Sequence, residues 1–241
     1  TYQDVLPWQF FYTALWAQAI HGQAGGEAWT YWERGQGYNL DERAKALDAM
    51  GQAARDLRRY AHEVTALAAL KPRVAVLLSS AALAWSPREH VEAEKQAYQA
   101  LALLGIPVGF MLEEMLPDGA LDRSNPVGSH RLLVVPQAVH LSRAMNEAIT
   151  GFAARGGTVV ALGDRPAFDE YGKPLRFTET AVHWPDMGTQ AAGAGQSVDP
   201  AHPQTPSSAD AGTRKLHLRL GGLLRQRGLA SPVQVRVAGR T

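Results

Sequence analysis

The chain has 241 residues, 46% of them hydrophobic and 20% charged, which supplies a sizeable core and excludes disorder as its overall state. With 24 basic residues against 23 acidic ones, it has no surplus of positive charge to hold nucleic acid or an anionic membrane surface. No apolar run approaches the roughly 20 residues that span a bilayer, no basic-then-apolar leader opens the chain, and the lack of any cysteine removes disulfides, thiolate metal sites and cysteine nucleophiles together.

Residues 4–21 read as a helix, because Phe11, Leu15 and Ala19 recur four apart among the rings of Trp8, Phe10, Tyr12 and Trp16. So many large rings imply burial on more than one side. Glu27 to Glu33 is a short aromatic run that alternates faces and is closed by Gly35 and Gly37, as expected of a strand entering a loop. From Asp41, the apolar positions Leu47, Met50, Ala54, Leu57, Ala61 and Val64 step by three and four. They predict one long amphipathic helix with Arg55, Arg58 and Arg59 on its wet side, broken at Lys71-Pro72.

Arg73 to Leu78 is a continuous apolar run, the pattern of a parallel strand buried on both faces. Ser86-Pro87-Arg88-Glu89 predicts a capping box, with a hydroxyl N-cap, proline at the first helical position and glutamate at the third. That helix should run to Leu104, stop at Gly105 and feed a strand over Ile106 to Leu112. A polar loop from Pro117 to Ser129 precedes a strand over Arg131 to Val135. Ser142 then caps a helix with Met145, Ile149 and Phe152 on one side, ended by Gly156-Gly157 before a strand over Thr158 to Leu162. This alternation predicts a doubly wound α/β domain over residues 71–188, with an open parallel sheet and a last strand over Thr180 to Trp184. Residues 189–213 read as a flexible linker of small and polar residues. In 214–241, Leu216, Leu220, Leu223 and Leu224 mark a helix ending near Gly228, and Pro232 to Val237 alternates like a half-buried strand.

The run Trp16 to Trp32 resembles the last helix and eighth strand of the catalytic (β/α)8 barrel in β-galactosidases of glycoside hydrolase family 42. The α/β segment is similar to that family's second domain, an amidotransferase-like fold associated with trimerisation, which makes its parallel sheet flavodoxin-like, of the class I glutamine-amidotransferase-like kind. The likeness is carried by Gly105-Ile-Pro-Val108, Leu132 to Pro136, Gly156-Gly-Thr-Val-Val160 and Gly163 to Tyr171. The resemblance implies that residues 1–40 are the end of a barrel, that 41–70 form a connecting helix, and that the final strand opens a β-sandwich. It implies a galactoside-type carbohydrate partner once the barrel is complete, a homo-oligomer, and no cofactor. It also implies that the chain is a fragment or a strongly reduced relative. The want of a bilayer-spanning run reads as a soluble protein of unknown compartment, with the cytoplasm slightly favoured.

Glycoside hydrolysis of this type needs two carboxylic groups flanking the bond. Glu27 and Glu33 sit six apart and share a strand face, but six steps of roughly 3.3 Å hold them about 20 Å apart. That is too far for the ~5–10 Å a glycosidase pair requires, so no catalytic residue is assigned. The resemblance places a tryptophan beside the sugar at this spot, which makes Trp32, Trp29 and Glu33 the candidate sugar-contacting residues; core packing is the alternative role for the two indoles. Amidotransferase chemistry is excluded for want of its cysteine.

Ser79 and Ser80 follow the first strand of the α/β domain, where open sheets put their ligands, yet no Gly-x-Ser-x-Gly elbow is present, and loop or cap positions are expected of them. His183, His202 and His217 lie in separate segments, and Asp164, Asp169 and Glu170 read as a solvated acidic loop, so no metal site is expected. Gly35-x-Gly37 and Gly156-Gly157 lack the helix N-terminus that would cradle a phosphate. The expected function is the accessory and oligomerisation portion of a β-galactosidase-like enzyme; the alternatives are a free-standing flavodoxin-like binding module and a serine-type hydrolase.

Overall fold

A computed structural model describes residues 8–23, 44–119, 121, 130–187 and 208–229, and it divides the chain into two compact units that meet in sequence at Leu70 and Lys71. The expected strand at Glu27 to Glu33 and the closing strand at Pro232 to Val237 both lie outside the described residues.

The first unit is helical: α1 (Trp8–Ile20), α2 (Ala44–Arg59) and α3 (Ala61–Ala68). The stripe that α2 buries is Ala46, Ala49 and Ala53, not the larger apolar series expected from the sequence. Methyl groups at this spacing let α1 approach closely, while Leu47, Met50 and Leu57 flank the contact half-buried. Arg55, Arg58 and Arg59 are exposed, as expected. The Tyr12 hydroxyl donates to Asp56 at 2.8 Å, and the rings of Tyr12, Trp16 and Tyr60 follow one another at centroid distances of 6.3 and 6.2 Å. The single helix predicted from Asp41 is two, because Tyr60 leaves helical geometry (φ −104°, ψ 25°) where its ring lies against Trp16.

The second unit is built on β1 (Val74–Leu77), α4 (Ser80–Trp85), α5 (Pro87–Ala102), β2 (Val108–Met111), β3 (Leu132–Pro136), α6 (Arg143–Ala154), β4 (Thr158–Leu162), β5 (Val182–Trp184) and α7 (Ser208–Gln226). Its five strands form one wholly parallel sheet in the order β2-β1-β3-β4-β5, with Val74 opposite both Val108 and Leu132, Leu132 opposite Thr158, and Leu162 opposite Trp184. The fold is α/β, with helices on both faces. Every residue of β1, β3 and β4 is buried, which is why these segments read as unbroken apolar runs.

The two-residue period of a strand sends alternate side chains into two cores. Ala75, Leu77, Leu133, Val135 and Val159 meet Met145, Ile149 and Phe152 of α6; Val74, Val76, Leu132, Val134, Val160 and Leu162 meet Ala97, Ala100 and Leu101 of α5 and Leu216, Leu220 and Leu224 of α7. Helix α7 begins at Ser208, inside the stretch expected to be linker. It is anchored by Asp186, which accepts from Lys215 at 2.6 Å and from Arg219 at 2.8 and 3.2 Å. These two cations hold the Asp186 carboxyl down at about 2.

Ser142 caps α6 by accepting from the Met145 amide at 3.2 Å, as expected. Ser86 does not form the predicted capping box: it precedes Pro87 at the first helical position, but its side chain makes no cap bond. The reason is that Ser86 also terminates α4, its amide bonded to the Ala82 carbonyl, and that double duty sets its backbone at φ −144°, ψ 61°. At the turn after α6, Gly156 has φ 80°, and a Cβ on Gly157 would stand 2.3 Å from the Phe152 ring, so both glycines are required. Among the described residues, no helix is long and apolar enough to cross a membrane.

Phe152 is fully buried in the core beneath α6, whereas Leu218 is 66% exposed on α7. Phe152→Ala is therefore expected to lower unfolding free energy by about 3–5 kcal/mol, and Leu218→Ala to change it by no more than about 0.5 kcal/mol. Urea titration followed by circular dichroism distinguishes the two.

Candidate functional site

In open parallel sheets the ligand crevice lies beyond the carboxyl ends of the strands, where the strand order reverses. Here that point falls between β1 and β3, since β2 lies on one side of β1 and β3, β4 and β5 follow on the other. The chain leaving β1 passes Leu78, whose amide extends the ladder to the Met111 carbonyl at 2.9 Å, and reaches Ser79 and Ser80. Ser79 is fully buried and is the N-cap of α4: its hydroxyl accepts from the Ala82 amide at 3.2 Å and faces the Glu113 carboxylate at 3.5 Å. Glu113, placed just past β2, also accepts from the Ser80 amide at 2.9 Å. A carboxylate of the chain itself thus covers the start of α4.

His90 of α5 is fully buried, its ring in reach of the chain leaving β1 and the end of β3. Its Nδ1 lies 2.7 Å from the Pro136 carbonyl oxygen, which can only accept, so Nδ1 carries the hydrogen. Its Nε2 then accepts from the Ser79 amide at 3.0 Å. Burial lowers the His90 pKa from the ordinary 6.5, against the opposing pull of the Pro136 carbonyl and the Glu113 charge. Both ring nitrogens are spent on backbone, and neither is left to act as a base.

At the end of β3 stands Gln137, whose φ of 40° is the one left-handed backbone at a non-glycine among the described residues. It is held there by its own amide on the Leu162 carbonyl at 2.8 Å. Its side chain adds a reciprocal pair with Asp164, donating to the carboxylate at 3.0 Å and accepting from the Asp164 amide at 3.2 Å. Backbone strain at a strand end is a hallmark of functional turns, but the side chain presented here is a carboxamide, which is no nucleophile.

Beside this point the segment from Gly163 to Arg176 folds against the start of α6. Asp169 is 1% exposed, so it is not the solvated residue expected from the sequence. The Arg143 guanidinium donates to it at 2.8 Å through both Nε and an Nη, and it accepts from the Tyr171 and Lys173 amides at 3.0 and 2.8 Å. Burial raises its pKa, but these donors together outweigh burial and hold it below the usual carboxylate value. Glu170 accepts from the first amide of α6 at 3.0 Å, and its carbonyl accepts from the Trp85 indole at 3.2 Å. Trp85, His140 and Phe168 stack in sequence, with centroids 4.4 and 5.3 Å apart.

Of the residues singled out from the sequence, Trp29, Trp32, Glu27, Glu33 and His202 lie outside the described residues. Ser79 is a helix cap, in line with its expectation, and Ser80 is the first residue of α4. Asp164 faces Gln137; His183 bonds the Gly163 carbonyl at 2.8 Å and His217 the Ala100 carbonyl at 3.1 Å. No group of three metal-ligating side chains occurs among the described residues. Sequence reasoning missed His90, Glu113 and Gln137. His90 carried a signal, because it shares the inward stripe of α5 with Ala93, Ala97 and Ala100; Gln137 carried none.

No sequence-family profile matches the chain, and no curated protein matches it. Solved structures do. An exo-carrageenase of glycoside hydrolase family 42 from Bacteroides ovatus superposes with a TM-score of 0.66 at 14% identity, over 93% of this chain and 28% of that one. The fold is shared with family 42 glycoside hydrolases. A catalytic mutant of a family 42 β-galactosidase from G. stearothermophilus gives a TM-score of 0.52 at 16% identity, over 73% of this chain and 27% of that one. A β-galactosidase from Rahnella sp. R3 gives 0.50 at 17% identity, over 71% and 26%. The chain therefore spans little more than a quarter of the length of these enzymes.

Ser79 is fully buried with its hydroxyl on the Ala82 amide, both His90 nitrogens are held by backbone, and the carboxylate it faces, Glu113, is itself engaged by the Ser80 amide. A fluorophosphonate probe is expected to label neither Ser79 nor Ser80, as read by peptide mass mapping. Ser79→Ala removes the cap of α4 and should lower stability by about 1 kcal/mol.

Proposed function

We propose that the chain is the non-catalytic accessory and oligomerisation portion of a β-galactosidase-like glycoside hydrolase of family 42 type. In this reading residues 1–40 close a catalytic barrel, 41–70 connect, 71–188 form the amidotransferase-like domain onto which α7 packs back after a shorter link than the 189–213 expected, and the residues after α7 begin a β-sandwich. The observation that carries it is the likeness to the Bacteroides enzyme over 93% of this chain, at a TM-score of 0.66. The switch point supports a non-catalytic role: its carboxylate, imidazole, hydroxyl and carboxamide are all spent on one another or on backbone. The work of the portion is subunit packing and completion of a sugar pocket, where Trp32, Trp29 and Glu33 meet a galactoside-type substrate.

A second reading, a free-standing binding module, is favoured by one observation. The α/β unit covers both faces of its sheet with its own helices.

The purified chain is expected to release no nitrophenol from nitrophenyl β-D-galactoside; turnover that Glu33→Gln abolishes would overturn the proposal. Size-exclusion chromatography with light scattering separates the two readings. Self-association supports the accessory portion, and a monodisperse monomer supports the free-standing module.

A further inference from the structure

We propose that His90 is a pH-sensitive latch: its neutral imidazole ties the carboxyl ends of β1 and β3 together across the switch point, and its protonation releases them.

The argument is geometric. The Ser79 amide belongs to the chain leaving β1, and the Pro136 carbonyl closes β3, so one ring bridges two adjacent strands just past the last β1–β3 pairing, Val76 with Val134. Beyond that pairing the strands diverge to serve different connections, and His90 supplies the cross-link that the backbone ladder no longer makes. The bridge demands one donor and one acceptor on the same ring, a condition met by the neutral tautomer with hydrogen on Nδ1 and by no other state. A proton on Nε2 would point an N–H at the N–H of Ser79. With the residue fully buried, water is not at hand to relieve that conflict, so the Ser79 amide must leave.

The surroundings do little to accommodate the cation. Of the elements packed against α5, β1, β2, β3 and α4 carry no ionisable side chain; α7 carries Arg214, Lys215, His217, Arg219 and Arg225, and none of these is among the charges that act on His90. Past the strand ends, Glu113 is the charge that favours the imidazolium, but its oxygens already face the Ser80 amide and the Ser79 hydroxyl. Asp164 is paired with Gln137. On α5 itself, Arg88, Glu89, Glu92 and Lys95 are exposed, and Glu94 is half-buried. Burial therefore dominates, and the latched state binds a proton less readily than an opened one. The latch holds in full above the ordinary imidazole value of 6.5 and weakens as pH falls from there through the lowered value of the latched state.

The decisive experiment is amide hydrogen exchange of the full 241-residue chain between pH 7.5 and 5, corrected for the intrinsic pH dependence of exchange. The opening constant at Ser79 is expected to rise by up to about tenfold per pH unit below 6.5. His90→Gln keeps a donor and an acceptor without a titrating group and should show a flat profile, while His130→Gln, which removes the other buried histidine of this unit, should leave the Ser79 response in place. A His90→Gln profile that follows the unsubstituted chain would overturn the latch. Should His90→Gln fail to fold, imidazole nitrogen shifts of the unsubstituted chain decide. Hydrogen on Nδ1 at neutral pH, with no titration near 6.5, supports the latch; an Nε2-protonated ring, or one titrating at its ordinary value, refutes it.

Discussion

Burial of the central strands on both faces is the constraint from which the second unit follows. β1, β3 and β4 expose almost nothing, so each needs cover above and below, and the alternation of side chains divides that demand evenly between two cores. Helix α6 answers on one side; α5 and α7 together answer on the other. The sheet's order then places the ends of β1 and β3 side by side with nothing of the ladder beyond them, and the polar residues that gather there are the ones that close the gap.

This gathering is a network of mutual satisfaction. Glu113 covers the start of α4, His90 bonds both strand ends, and Gln137 and Asp164 engage each other. In an enzyme built on such a sheet, some of these groups would be left open toward a substrate. Here these groups are held by one another and by the backbone. The fold likeness to family 42 glycoside hydrolases runs over most of this chain and little more than a quarter of the length of those enzymes.

The strands of the second unit were legible because double burial writes itself as runs such as Val74 to Leu77 and Leu132 to Pro136, and the stripe of α6 was legible because Met145, Ile149 and Phe152 keep helical spacing. Helix α4 was not, being six residues, half of them alanine, with too little periodicity to separate it from a loop. The capping box at Ser86 failed because pattern rules treat one helix at a time, whereas Ser86 serves two. In the first unit the larger apolar residues drew attention away from Ala46, Ala49 and Ala53, whose small size is what makes the helix contact close. The site was harder still: Asp169 looked wet because its burial depends on Arg143, 26 positions earlier, and nothing local to Gln137 announces its backbone.

Helix α7 carries a consequence for how the unit is made. The core lined by Val76, Val134, Val160 and Leu162 is finished by Leu216, Leu220 and Leu224, which arrive after the five strands of this sheet have been laid down. On the ribosome, that side of the sheet stays half-clothed, with α5 as its helical cover, until the chain has been extended past residue 224 and the Asp186 carboxylate can catch Lys215 and Arg219. Synthesis order thus leaves this greasy face waiting longest, and it is there that a chaperone or a sister chain would find its opening.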